Sequence, residues 1–499
     1  MKKFIFAAAA LLLAACSRET LPEPVVQPED EGAKTYTVTL TATVEPETRL
    51  GIDTNGKATW NSSDRIALFT RAGNLVEGVL EEDGNNAAGR KFVFQVEAGD
   101  AIEDGSVAYY PSSIVVDQDK IRLPSYYADR SVQNATIPLR AVVSGNGTTL
   151  SFKHLASMVH LTAPSSDPFH PAGHAPAKFW FETDQPVAGV FSVGGSDDEP
   201  TLETLTTEAY ATSISADWSP GGEYLFVLPP GEYTHGFSLS IKDGNGFVLY
   251  KKTRTRSSFE VARKDYVTMP AFEPRIKDLA FYLISAENGW NPESTSARMI
   301  QCGDYEFIGA LNSKEGGNGG SDLGLKIVSG YHVGDWTYVL GTGQNGVDYG
   351  NGAGNFNGNP PGVYKVLLTL GSDGWSYHVE RINKDNLHGE LHLVGSFSLD
   401  ANNNWDDGIL LTQEVGHNWV AVVEVGESAK IKPNTDYGWK IRTDSWNVQW
   451  HSGDIKDGKL YSSVAWDNEH TSDGTLNLSA GTYKVFFNDY LGWIMFEKQ

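Results

Sequence analysis

The chain has 499 residues, too many for one hydrophobic core, so length alone implies three or four domains. Its 52 Gly, 22 Pro and 11% aromatic residues, with short period-two patterns and no long amphipathic helix, describe β modules joined by turns. A formal net charge of −24 repels phosphate backbones and anionic headgroups, which excludes nucleic acid and electrostatic membrane binding and leaves neutral ligands open.

At the start, Lys2-Lys3, an apolar run from Phe4 to Ala14 and small residues before Cys16 predict an export signal over 1–15, too short to remain as a membrane span. Leu13-Ala14-Ala15-Cys16 resembles a bacterial lipobox, which implies cleavage before Cys16 and lipid on its sulfur. The expected location is therefore the outer membrane, lipid-anchored and facing the exterior. Cys302 is the other cysteine, so a lipidated Cys16 leaves no intrachain disulfide and folding must rest on core burial. Residues 16–34 are rich in Pro and acidic side chains and read as a disordered tether, reaching about 50 Å at roughly 3.1 Å per residue.

The next stretch, 35–164, opens on Thr37-Val38-Thr39-Leu40-Thr41-Ala42-Thr43-Val44, which alternates Thr with apolar residues as a half-buried strand does. Further strands are predicted at 65–70, 91–95, 107–110, 150–153 and 158–161, separated by turn clusters such as Asp83-Gly84-Asn85-Asn86 and Gly145-Asn146-Gly147. The pattern is that of a β-sandwich.

Three motifs in this stretch carry a resemblance. Thr48-Arg49 followed by Trp60-Asn61-Ser62-Ser63-Asp64-Arg65, then Ala108-Tyr109-Tyr110-Pro111, then Leu150-Ser151-Phe152-Lys153-His154-Leu155-Ala156, resemble the fimbrillin-like proteins of Bacteroidales. That resemblance implies two transthyretin-like sandwiches, the second over 165–275, and a role as pilus subunit, anchor, tip or stand-alone adhesin. Arg49 is then either a processing site used before polymerisation or an ordinary strand residue.

From 276 the chain is self-similar. Gly362-Val363-Tyr364-Lys365-Val366 returns as Gly481-Thr482-Tyr483-Lys484-Val485, and Lys326-Ile327 with Trp336 returns as Lys440-Ile441 with Trp450, at a spacing of about 115 residues. So long a period marks a duplicated domain, giving sandwiches at 276–385 and 386–499. The second copy concentrates Tyr437, Trp439, Lys440, Arg442, Asp444, Trp446, Asn447, Gln449 and Trp450 in two turn-linked strands. Indole faces stack on the apolar face of a pyranose while Lys and amide groups bond its hydroxyls, and alternation along a strand predicts that at least one of these Trp is exposed.

The order of Leu393-Val394-Gly395, the Lys-Ile strand and the Gly-Thr-Tyr-Lys-Val ending resembles the carbohydrate-binding domains of the SusE and SusF surface lipoproteins of Bacteroidetes. The resemblance implies binding sites at Trp439, Lys440, Trp446 and Trp450 in the second copy and at Lys326, Trp336 and Tyr338 in the first, with a starch-like glucan as ligand. In the first copy, the Gly- and Asn-rich run 341–358 is either an amide-bearing binding loop or filler.

Catalysis has no signature here. Asp406-Asp407 are neighbours whose side chains diverge on a strand, Asp444 has no identifiable partner acid, the 12 His form no HExxH, and Gly316-Gly317-Asn318-Gly319-Gly320 lacks the Lys-Ser of a phosphate loop. The expectation is an all-β protein of four tandem sandwiches, not an enzyme, with no cofactor and no metal. Its expected partners are a polysaccharide, the outer membrane through the lipid, and either a surface glycan-uptake complex or pilus subunits. The alternative is a fimbrial tip, an anchor or a cell adhesin bound to a protein or host surface.

Overall fold

The computed structural model describes residues 35–45, 60, 62–81, 89–128, 137–254, 258–315, 323–350, 352–383, 388–399, 404–405, 408–451, 453–456, 458–466 and 474–499. Cys16, the tether, Arg49, the 316–320 glycine run and Asp406-Asp407 lie outside them. Regular structure among the described residues is all β apart from short 3-10 turns.

The first unit contains β1 (Thr35–Val44), β2 (Arg65–Phe69), β3 (Leu75–Leu80), β4 (Arg90–Glu97) and β5 (Val107–Tyr110). An excursion follows through β6 (Val115–Asp117), β7 (Lys120–Leu123) and β8 (Tyr126–Tyr127), and the unit ends with β9 (Leu139–Ser144) and β10 (Thr149–His154). Seven of these strands close into a barrel in the order β1-β10-β9-β5-β2-β3-β4, where the sequence pattern predicted a two-sheet sandwich. Closure comes from β1, which pairs antiparallel with β4 and parallel with β10. The Thr-rich alternation explains it, because Leu40 and Ala42 point into the barrel beside Phe92, Phe94, Leu150 and Phe152 while the Thr face looks outward. Burying each such large side chain stabilises by about 1.5–3 kcal/mol.

The second unit runs through β11 (Ser157–Thr162), β12 (Pro176–Thr183), β13 (Gly189–Gly195), β14 (Pro200–Thr204), β15 (Ser213–Asp217), β16 (Glu223–Leu228), β17 (Gly231–Tyr233), β18 (Phe237–Asp243), β19 (Val248–Arg254), β20 (Phe259–Val261) and β21 (Tyr266–Thr268). Its sheets include strands from before residue 164: β7 pairs with β13, β8 with β15, and β11 with β16 and β21. The first two units are thus interlocked. Arg263 seals the seam, reaching Glu45 at 2.6 Å, Glu199 at 2.9 Å and the His154 carbonyl at 3.3 Å.

The third unit pairs β22 (Phe281–Ile284), β25 (Lys326–Ser329), β26 (Leu340–Gly343) and β27 (Gly346–Tyr349) in one sheet. Its other sheet holds β23 (Ile300–Gly303), β24 (Glu306–Ser313), β28 (Gly362–Thr369) and β29 (Ser376–Ile382). The Gly- and Asn-rich run is partly regular, since 341–349 forms the β26–β27 hairpin and Phe356 is buried.

The fourth unit has equivalent strands, β30 (Leu391–Gly395), β31 (Ile409–Gln413), β32 (Asn418–Val425), β33 (Tyr437–Thr443), β34 (Gln449–His451), β35 (Tyr461–Ser463), β36 (Ala465–Trp466), β37 (Gly474–Leu476), β38 (Gly481–Asn488) and β39 (Trp493–Lys498), but β31 pairs with both β30 and β32 and joins them into one 10-stranded sheet. The duplication shows in the register, where Leu283 opposite Ile327 corresponds to Leu393 opposite Ile441. Back sheets of the two repeats meet through Ile300, Ile308, Phe486 and Met495, with Arg298 bonding Glu497 at 2.9 Å.

Candidate binding face of the fourth unit

Strand β33 sets the face by parity. Trp439 and Ile441 point into the core while Lys440 and Arg442 point out, because successive side chains leave opposite sides of a strand. Trp439 is fully buried and meets Phe496 edge-on at 6.0 Å. Trp450, on the next strand, is also inward, edge-on to Phe487 at 5.3 Å and to His388 at 5.1 Å. Both were expected as sugar platforms, and both are core residues instead. Neither offers a face to a ligand.

The turn between β33 and β34 breaks the alternation. Trp446 sits there in the left-handed region at φ +59°, half-buried, with the Arg442 guanidinium 4.6 Å from its ring centre. Across the sheet, Trp405 is half-buried with the Lys440 ammonium 6.0 Å from its ring centre. Cations over indole faces are held by the ring quadrupole, at about 0.5–2 kcal/mol each. Gln449 lies on the outward side of β34 beside Arg442, its amide donating to the Trp446 carbonyl at 3.4 Å.

His392 is register-paired with Arg442 and bonds Glu390 at 2.7 Å. Ligand atoms of Glu390, His392 and Asp444 all lie within 4.8 Å of one another. The face therefore holds two half-buried indoles beside Lys440, Arg442 and Gln449, which are themselves buried at 6%, 4% and 6% exposure, with exposed acceptors from Asp444 and Glu390 at the rim. Sequence reasoning singled out Lys440 and Trp446, noted Arg442 in the same stretch without giving it a role, and missed Trp405 and His392. The pairing of β30 with β33 that assembles the last of these is not encoded in local spacing.

The third unit does not assemble the corresponding site. The Lys326 amine donates to the Ala353 carbonyl at 2.7 Å, and burial holds its pKa below the usual lysine range. Tyr338 donates to the Asn245 carbonyl at 2.9 Å and packs near His332 and Phe247, so it serves the junction with the second unit. Trp336 is 47% exposed on a 3-10 turn capped by Asp335. Where the fourth unit has Arg442, the third has Val328, which packs with Ile284, Val339 and Trp290. An apolar patch replaces the polar one.

All-β modules in series, with a polar aromatic face on the last, define the class of the molecule. No protein-family model and no curated protein matches the chain. It is similar to solved structures of Bacteroides proteins. A candidate cell adhesion protein from Bacteroides uniformis ATCC 8492 is 17% identical, covers 45% of this chain and 89% of its own length, and has a TM-score of 0.26. One from Bacteroides ovatus ATCC 8483 is 13% identical over 48% of this chain and 100% of its own, with a TM-score of 0.27. A fimbrial protein from the latter organism is 13% identical over 55% of this chain and 57% of its own, with a TM-score of 0.23. Likeness of that extent says nothing of a ligand.

Proposed function

We propose that the protein is a non-catalytic cell-surface binding protein whose fourth unit takes a neutral polysaccharide, as the SusE and SusF resemblance implies. The supporting observation is the side of β30, β33 and β34 away from the core, where the half-buried Trp405 and Trp446 lie against the buried Lys440 and Arg442 and the exposed Asp444 and Glu390 line the rim. Ring stacking of about 0.5–1.5 kcal/mol per indole and a few hydrogen bonds make such a site weak for a monosaccharide and useful for a polymer. Mixed donors and acceptors suit hydroxyls, which do both.

The test is affinity electrophoresis of the whole chain through gels containing amylopectin, a mixed-linkage β-glucan or a mannan. Wild type is expected to be retarded by at least one, and Trp446→Ala or Trp405→Ala to weaken this roughly tenfold. Unchanged retardation in both folded variants defeats the proposal. An adhesin bound to a protein partner is the second reading, favoured by Leu410, which is 54% exposed and register-paired with His392 on the same face. In that case no glycan retards the chain.

A further inference from the structure

A second sheet face, in the second unit, carries the same kind of chemistry. Strand β12 buries Phe179 and Phe181 and turns Trp180 outward. Register pairing lines up Lys251, Ser240, Trp180, Ser215 and Tyr126 in one row across β19, β18, β12, β15 and β8, with Ser240 and Ser215 buried between the larger side chains. Two strand spacings separate Trp180 from Tyr126, roughly 9–10 Å, the span of a disaccharide. Tyr126 is 45% exposed. Trp180 is half-buried, and its indole N–H is buried without a hydrogen-bond partner, so the ring and not the N–H is what the face offers.

Charges of both signs alternate around these rings. The Lys242 ammonium lies 4.3 Å from the Trp180 ring centre and 2.6 Å from Glu182, which also accepts from Ser240 at 3.1 Å. The Lys178 ammonium lies 3.9 Å from the Tyr126 ring centre and 2.6 Å from Asp217. The Lys178–Asp217 pair is largely solvent-facing and adds little stability, whereas Lys242 and Glu182 are mostly buried, at 16% and 23% exposure. An outward Trp also adds nothing to a core that Phe179 and Phe181 already fill.

We infer that this face is a second carbohydrate site, binding a neutral polysaccharide through Trp180 and Tyr126 with Lys178, Lys242, Glu182 and Asp217 on its hydroxyls. Charge complementarity selects that occupant. Three ammonium groups, Lys178, Lys242 and Lys251, interleave with two carboxylates, so neither a polyanion nor a polycation meets a field of one sign. Ammonium and carboxylate side by side match the donor and acceptor of adjacent hydroxyls. The inference rests on the proposed function for the class of ligand alone. Its residues are independent.

Tyr126→Ala and Trp180→Ala are to be made in the wild-type chain and in the Trp446→Ala chain, with melting temperature as the check on folding. On the gels above, each is expected to weaken retention by the polymer about tenfold, since two sites on one chain share a ligand. Residual retention in Trp446→Ala should vanish when Tyr126→Ala is added. Folded Tyr126→Ala and Trp180→Ala variants that migrate as their parents in both backgrounds overturn the inference while sparing the fourth-unit site. If instead Trp446→Ala and Trp405→Ala change nothing and Tyr126→Ala abolishes retention, the fourth-unit site falls and this one stands. Retention by polygalacturonate and by no neutral polymer overturns the assignment of ligand, and so does retention by no polymer at all.

Discussion

Trp439 and Trp446 belong to one hairpin yet do opposite work. Alternation along β33 was legible in the sequence and predicted that the clustered Trp could not all face inward. Which of them face in was not legible, because the turn at Trp446 adopts φ +59° and resets the parity before Trp450. Trp439→Ala therefore empties core volume and should cost about 3–5 kcal/mol, whereas Trp446→Ala should cost only its contact with Arg442, about 0.5–2 kcal/mol. Calorimetry of the two variants separates them. Elsewhere, His154 is fully buried with neither ring nitrogen hydrogen-bonded, and burial pushes its pKa down to about 4. An unfolded histidine titrates near 6.5, so the unfolded chain gains a proton that the native state refuses as pH falls. Stability from this group is complete above about 6.5, declines as pH falls from there towards 4, and is flat below. His332, also pushed down to about 4 by burial, adds in the same direction. Denaturation midpoints measured between those limits should fall with acid, and a His154→Gln chain should show a shallower slope.

At the scale of elements, the repeated Gly-x-Tyr-Lys-Val signature has a structural meaning that its recurrence alone did not reveal. The Tyr364 hydroxyl donates to the Pro360 carbonyl at 2.7 Å and that of Tyr483 to the Ser479 carbonyl at 3.0 Å. Tyr233, in Gly231-Glu232-Tyr233 of the second unit, does the same to Pro229 at 2.8 Å. The glycines opening these strands have φ of +154°, +153° and +144° for Gly231, Gly362 and Gly481, a region that side chains avoid. The motif is a corner that ties a strand to the chain entering it. It cannot therefore be read as a mark of sugar binding, since it recurs outside the duplicated pair. Replacing any of the three Tyr by Phe should cost about 1 kcal/mol without moving ligand affinity, as denaturation and gel retardation of the same variants would show.

For the whole molecule, the sequence made the tandem β organisation and the duplication plain, because both rest on period and composition. It could not show the exchange of strands between the first two units, which joins residues far apart in the chain. Nor did it show that the tip of the β18–β19 hairpin plugs the third unit, with Phe247 and Leu249 in its core and His174 bridging Asp243 at 3.0 Å and Asp348 at 2.9 Å. Phe247→Ala should cost about 3–5 kcal/mol at that junction. Limited proteolysis should then cut faster between the second and third units than in wild type. If the variant is digested like its parent, the plug is not what holds the units together.

The double pairing of β1 bears on how the chain carries load. A pull applied at Thr35 runs along a strand bonded to β4 on one flank and β10 on the other. Its rungs are stressed together, in shear, and cannot be unzipped one after another. Opening the barrel from that end means breaking both ladders at once.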